Sequence, residues 1–270
     1  MKVTVLTENT TCDPALACEH GLSLYIETEE HTILFDMGQT AAFAENAHTM
    51  GIDLKQVDLA VLSHGHYDHG GGLARFLEIN DRAPVYVSIH GFEGHYNGSD
   101  KDIGLDPSLE KHPQLIFTTG EVMLDPKMVL YVAEGREGTY PLDPAGLQMA
   151  AEGGNHQEIM TLVPEDFRHE QYLMIHENGK KILLSGCSHR GILNIVEWFQ
   201  PDILIGGFHF SKMDPEGDGK ARLDQAAEIL STRDCVYYTC HCTGEKQYAY
   251  LKERMGEKLQ YLATGQELVL

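Results

Sequence analysis

Val57-Asp58-Leu59-Ala60-Val61-Leu62-Ser63 is an apolar, β-prone run with little polar alternation, and it leads directly into His64-Gly65-His66-Tyr67-Asp68-His69. A strand of this kind is expected to be covered on both faces, which places it inside a layered α/β fold rather than on an open sheet. Residues two apart on extended backbone point the same way, so His64 and His66 can reach one point in space. Asp68 and His69 follow at the turn into a helix. Desolvating so many titratable side chains together is costly without a compensating charge. A transition-metal ion compensates, because imidazole nitrogens bind it at about 2.0–2.1 Å. A polar loop with chance histidines leaves that cost unexplained.

Around this run the chain reads as short strands followed by strand–helix units. Val3–Leu6, Leu22–Glu27 and His31–Phe35 read as strands, and Thr40–Met50 has helical spacing that ends at Gly51. Gly70–Ile79 reads as a helix and Ala83–Ile89 as a strand. Residues 91–160 are rich in Gly, Pro and Asp and read as an irregular insertion over the site. Leu115–Thr118 and Met128–Val132 are short strands within it, and Gly153-Gly154-Asn155-His156 lies near its end. Tyr172–His176 and Lys181–Leu184 form a hairpin around Asn178-Gly179. Then come a helix at Ile192–Phe199, a strand at Ile203–Ile205, a helix over 220–231, a strand at Val236–Thr239, a helix at Gly244–Met255 and a strand at Glu267–Leu270. The expectation is one domain over 1–270.

Charge narrows the class of partner. Against 20 Lys and Arg stand 41 Asp and Glu, a formal net charge of −21. Such a surface repels nucleic-acid backbone and anionic membrane, and leaves a small-molecule substrate as the expected partner. The cysteines, Cys12, Cys18, Cys187, Cys235, Cys240 and Cys242, have no secretory context, so a cytoplasmic setting with free thiols is expected. Cys240-His241-Cys242 lacks the second Cys pair of a zinc knuckle.

Ser63 through Gly71 resembles the H-x-H-x-D-H signature of the metallo-β-lactamase superfamily, whose fold is an αββα four-layer sandwich with metals at one edge. Leu34-Phe35-Asp36-Met37-Gly38 looks like its first motif, in which the Asp supports the metal loop from behind. Cys18-Glu19-His20-Gly21, Gly186-Cys187-Ser188-His189, Gly206-Gly207-Phe208-His209 and His241-Cys242-Thr243-Gly244 resemble one branch, that of ribofuranosylaminobenzene 5'-phosphate synthase-like metal-dependent hydrolases. One departure stands out. Where the superfamily has an Asp that bridges two metals, this chain has Cys187, read as a supporting residue beside the metals. The superfamily's third histidine normally precedes that strand; His169 stands there and is read as a solvated loop residue, with His189 preferred as the ligand.

The resemblance implies that His64, His66 and His189 hold one ion and that Asp68, His69 and His241 hold a second. The ions would be Zn²⁺, with Fe or Mn also compatible with these ligands. Water activated between them would hydrolyse an ester or phosphoester-type bond. Asp68 would orient the water, Asp36 would fix a ligand tautomer, and His209 would serve in catalysis. Thr243 and Gly244, at a helix start, would bind substrate phosphate. Alternatives are a non-hydrolytic iron redox enzyme on the same fold, a phosphoribosyl-compound synthase-like activity, and a catalytically silent metal sensor.

Overall fold

The structure is a computed structural model that describes residues 1–151 and 161–270; the Gly153–His156 segment falls outside the described residues. Two seven-stranded sheets form its centre. The first runs, edge to edge, Glu267–Val269, Lys2–Thr7, Ser23–Glu27, Thr32–Phe35, Leu59–Val61, Val85–Ser88 and Leu115–Thr118. The second runs Leu259–Tyr261, Val236–Thr239, Ile203–Ile205, Lys180–Leu184, Gln171–Glu177, Met128–Val132 and Glu121–Asp125. Each has antiparallel pairs on one side and parallel pairs on the other.

Strand periodicity builds the layers. Leu59 and Val61 face the second sheet, where Ile182, Leu184, Ile203 and Ile205 meet them in one buried cluster. The alternate residues Ala60 and Leu62 face outward against Phe43, Ala47, Leu73 and Phe76 of the helices Ala42–Thr49 and Leu73–Ile79. Leu183 and Leu204 do the same on the far side, against Ile192, Ile195, Leu223 and Leu251. A period of two on strands and a single apolar stripe on each helix therefore yield helix, sheet, sheet, helix. Among the described residues no helix is long and apolar enough to cross a membrane.

The helix expected over Gly70–Ile79 is split into Tyr67–Gly70 and Leu73–Ile79. Gly71 and Gly72 lie between them, where a side chain would strike the carbonyl oxygens of Gln39 and Met37 at 2.2 Å. Leu115–Thr118 and Met128–Val132, expected within an insertion, are instead members of the two large sheets. Their backbone partners, Val85–Ser88 and Gln171–Glu177, lie far away in sequence, so periodicity alone could not place them. Glu121–Asp125 likewise edges the second large sheet, and Leu147–Ala150, His95–Asn97 and Lys101–Asp102 join Leu162–Pro164 in a small third sheet. The Asn178-Gly179 turn is as expected, with φ of 54° and 73° at its two residues.

Leu204 is fully buried between the second sheet and its helices. Truncating it to Ala should cost about 2–5 kcal/mol of unfolding free energy, read as a lower denaturant midpoint at unchanged slope.

Candidate metal centre

The strands Leu59–Val61, Lys180–Leu184, Ile203–Ile205 and Val236–Thr239 run into loops that carry His64–His69, Cys187 with His189, His209, and His241. Open α/β sheets gather their sites where the carboxyl ends of parallel strands meet. The turns are sharp: Asp36, Ser188, His209 and His241 all hold positive φ, between 49° and 60°. Non-glycine residues rarely adopt this conformation, and its cost is typically carried at functional sites. Gly65 separates the first two histidines because a Cβ there would sit 2.2 Å from the carbonyl oxygen of Gly91.

Two groups of donors result. In the first, His64, His66 and His189 converge, with His64 Nε2 and His189 Nε2 3.3 Å apart. In the second, His241 Nε2 lies 3.2 Å from His69 Nε2 and 3.4 Å from Asp68 Oδ2. Two ligands bound at about 2.0–2.1 Å with a tetrahedral angle between them stand roughly 3.3–3.4 Å apart, so these spacings fit a shared ion. All these residues are buried. Burial lowers the pKa of His64, His66 and His189, and it is the largest cause in bringing His241 to about 4. These rings are therefore neutral, the form that ligates metal. Asp68 is held well below the usual carboxylate range: burial opposes its charge, but His69, His20 and His241 outweigh it.

Three of these candidate ligands, His69, His189 and His241, are held from behind. Asp36 is buried; its Oδ2 accepts from the Ser63 hydroxyl at 2.7 Å and lies 2.6 Å from His69 Nδ1, while its Oδ1 accepts from the Ser63 amide. This leaves His69 Nε2 facing the donor group. Glu170 accepts from the backbone N–H groups of His189 and Arg190 and from the Tyr172 hydroxyl, fixing the loop that carries His189. Glu8 accepts from the His241 N–H, and Asn9 Oδ1 lies 2.7 Å from His241 Nδ1. Glu8 and Asn9 come from the first strand's end, far from any motif, and nothing local in the sequence marks them.

Cys187, expected beside the metals as a supporting residue, is buried among the candidate donors. Its Sγ is 3.1 Å from His69 Nε2, and it shares donor groups with His64 and His69 and with His241 and Cys242. The tight Gly186 ahead of it, where a Cβ would meet Ser63 Oγ at 2.1 Å, drives the thiol inward. His169, expected to be solvated, is buried: its Nδ1 accepts the Gly65 N–H at 2.8 Å. Thr243, expected on the substrate, is fully buried, and its hydroxyl oxygen accepts the Phe208 N–H. The Gly244 N–H donates to the His241 carbonyl. The Thr243 N–H donates to the Cys240 carbonyl, so the tight turn between the last strand and its helix engages both backbone donors.

A cavity of about 120 Å³ opens over Asp68, Cys187, His189 and His209, and a neighbouring one of about 460 Å³ shares His189, His209 and Lys212. Phe208, Phe210, Met213 and Pro141 give the larger one apolar walls, and Lys212, Arg222, Asp143 and Asp218 supply charge. His209 packs edge-on against His189 with ring centroids 4.2 Å apart. Burial, aided by His66 and Lys212, brings its pKa to about 4. His20, half exposed, places Nε2 3.2 Å from Asp68 Oδ2.

A family model described as the metallo-beta-lactamase superfamily matches residues 17–232. Two proteins of Methanocaldococcus jannaschii are each 28% identical to this chain. One, an uncharacterized protein, aligns over 261 residues and covers 93% of this chain and 94% of its own length. The other is named 7,8-dihydropterin-6-methyl-4-(beta-D-ribofuranosyl)-aminobenzene-5'-phosphate synthase and aligns over 283 positions, covering 92% and 88%. Among solved structures, a metal-dependent hydrolase of the beta-lactamase superfamily superposes with a TM-score of 0.79 at 25% identity, covering 100% of this chain and 99% of that one.

His69 yields a pH prediction. Burial pulls its pKa down, but the charges of Asp36 and Asp68 outweigh it and raise it to about 9. Below that pH, ligation through Nε2 must expel a proton. Zn²⁺ affinity at this group should therefore rise with pH, by up to about tenfold per unit for one proton, and level off above about 9. Competition against a chromophoric chelator reads this; Asp36→Asn should move the plateau to lower pH.

Proposed function

This chain belongs to the metallo-beta-lactamase superfamily, and on that premise we propose that it is a metal-dependent hydrolase acting on an ester or phosphoester-type bond of a small molecule. The observation that carries the reading is the donor group His64/His66/His189 beside His241, which stands close to both His69 and Asp68, next to a cleft lined by His66, Asp68 and His189. These residues would hold two divalent transition ions, with Zn²⁺ favoured by the imidazole-rich donors and Fe or Mn also accommodated. Bound there, the ions would supply Lewis acidity and a water that ionises near neutral pH.

The chain's own groups do the rest. Asp68, anionic and 3.2 Å from His20, orients an attacking water through a free carboxylate lone pair. Asp36 keeps His69 turned with Nε2 toward the donor group. His209, neutral with its pKa at about 4, hydrogen-bonds the substrate and does not act as a proton-donating acid at neutral pH. The larger cavity, about 460 Å³, has the size of a small-molecule site and positions an apolar group against Phe208 and Phe210. The strongly acidic surface disfavours nucleic acid and anionic membrane as partners.

A second reading, bond formation on a phosphoribosyl-type compound, draws on the name of one Methanocaldococcus jannaschii relative. Lys212 beside the larger cavity favours an anionic substituent in either reading, whereas Arg222 is paired with Asp143.

Turnover of bis(p-nitrophenyl) phosphate and p-nitrophenyl acetate by Zn²⁺-loaded protein tests the proposal. Chelation or His64→Ala should abolish hydrolysis, with circular dichroism unchanged. Activity that survives complete metal removal would end the hydrolase reading. His209→Asn should lower kcat/KM about tenfold to a hundredfold, the loss of one hydrogen bond worth about 1.5–3 kcal/mol.

A further inference from the structure

Two lysines line the cleft of about 120 Å³ beside the donor groups, and they come from different parts of the fold. Lys101 is on the outer strand of the small sheet, Lys101–Asp102. Lys212 is in the loop that follows Ile203–Ile205 and His209. Both side chains are exposed, and their ammonium groups are lightly committed. Lys101 Nζ lies 5.4 Å from the centre of the Tyr67 ring, and Lys212 Nζ donates to the Ala145 carbonyl at 3.0 Å. Among the described residues neither forms an ion pair with a carboxylate, whereas Lys127, Lys220 and Arg222 do. A chain with 41 Asp and Glu against 20 Lys and Arg has carboxylates to spare for its lysines, so two unpaired ones at one cleft call for a reason.

Acidic charge at this cleft is confined to Asp68, whose carboxylate faces His20 and His241. The cleft therefore presents two ammonium groups against one carboxylate, and bound divalent ions would raise that excess. The larger cavity of about 460 Å³ is balanced instead: Asp143 is paired with Arg222, and Asp218 stands on the same wall as Lys212. Phe208, Phe210 and Met213 make it largely apolar. Lys212 lines both spaces and so marks where the charged part of a ligand gives way to its apolar part.

Resting on the hydrolase reading, we propose that the substrate is a phosphate monoester of an apolar or aromatic alcohol, its dianionic phosphate paired with Lys101 and Lys212 in the small cleft and its alcohol part in the larger cavity.

Charge selects among the ester types. A carboxylic ester is neutral and a phosphodiester carries one negative charge, so either leaves positive charge in the cleft unmatched. A phosphate monoester near neutral pH offers close to two charges and three acceptor oxygens. Lysine binds phosphate as a point charge and needs no fixed fork, which suits two flexible exposed side chains. Volume agrees. A cleft of about 120 Å³ holds roughly four waters of about 30 Å³ each, enough for a phosphoryl group, and the alcohol part needs the second cavity. The lysines also take up the task expected of Thr243 and Gly244, whose N–H groups are engaged in their own turn. In the reaction so assigned, a water oxygen bonds to phosphorus and the bond from phosphorus to the alcohol oxygen breaks. A proton from the water ends on that oxygen, giving the free alcohol and inorganic phosphate.

Binding and turnover together form the test. Phenylphosphonate, a dianion with an apolar ring and no hydrolysable bond, is titrated calorimetrically into the zinc-loaded full chain at a pH where both its protons are off. Lys101→Met and Lys212→Met should each weaken binding about tenfold, the lower end for a hydrogen bond to a charged group, at unchanged zinc content. Lys212→Arg, which keeps the charge, should restore most of the affinity. Methyl phenylphosphonate, singly charged, should lose less on either Met substitution. In turnover, each Met substitution should lower the ratio of kcat/KM for p-nitrophenyl phosphate to that for p-nitrophenyl acetate about tenfold, chiefly through KM. If phenylphosphonate binds both Met variants as tightly as the unaltered protein, the metal centre alone holds the anion and the proposal is wrong. Equal losses for the dianion and the monoanion would also overturn it. Failure of the hydrolase reading is seen separately, as absent turnover of every ester while the lysine-dependent binding persists; the anion site then stands without it.

Discussion

Burial of imidazoles against carboxylates is the interaction on which this molecule turns. His64, His66, His69, His169, His189 and His241 are all withdrawn from water, together with Asp36, Asp68, Glu165 and Glu170. Taken alone, each of these groups would lose its hydration at a cost of kilocalories. Asp68 and Glu165 are held ionised by the histidines around them, most of whose rings are neutral, with His69 as the exception because Asp36 and Asp68 face it. That division is stable only if the rings' unshared lone pairs find a cation or a proton. The protein thus stores, in its folded backbone, a demand for positive charge at the mouth between its two sheets.

The scaffold supplies what that demand requires. Fully buried alternation on Leu59–Val61, Lys180–Leu184 and Ile203–Ile205 locks the strand ends in place, and the turns leaving them hold strained backbone at Ser188, His209 and His241. Ligands emerging from rigid strand ends need little further ordering to meet. The carboxylates behind them, Glu8, Glu170 and Asp36, grip backbone N–H groups, and Asp36 also holds the His69 ring. The loops are therefore positioned independently of what they bind.

The chain belongs to a superfamily in which metal-dependent hydrolases are common, it has side-chain groups that could hold a metal, and the cleft beside His209 has the size of a small-molecule site. Cys187 is the feature that sets this site apart. A buried thiol whose pKa burial pushes well upward stands where a bridging carboxylate is expected from the resemblance. A site with sulfur at its centre holds softer donors than one built of carboxylate and imidazole alone.

Most strands and helices, and the convergence of His64 with His66, were legible in the sequence, because each is written in local spacing: period two, period 3.6, or residues two apart on extended backbone; the four layers were expected from the resemblance of the Ser63–Gly71 motif to a known family. His189 and His241 were legible because they end apolar strands. Other features were decided by tertiary structure alone. Leu115–Thr118 and Met128–Val132 became members of the large sheets through backbone pairing with distant strands, which side-chain pattern does not encode. Thr243, expected on the substrate, is fully buried, its N–H donated to the Cys240 carbonyl and its hydroxyl oxygen accepting from Phe208, 35 residues away. His95, Glu165 and His169 carry no shared spacing; folding alone buries them around one point, since long-range packing sets which loops meet. Local chemistry thus determined which residues could act, and the packing of the two sheets determined which of them do so together.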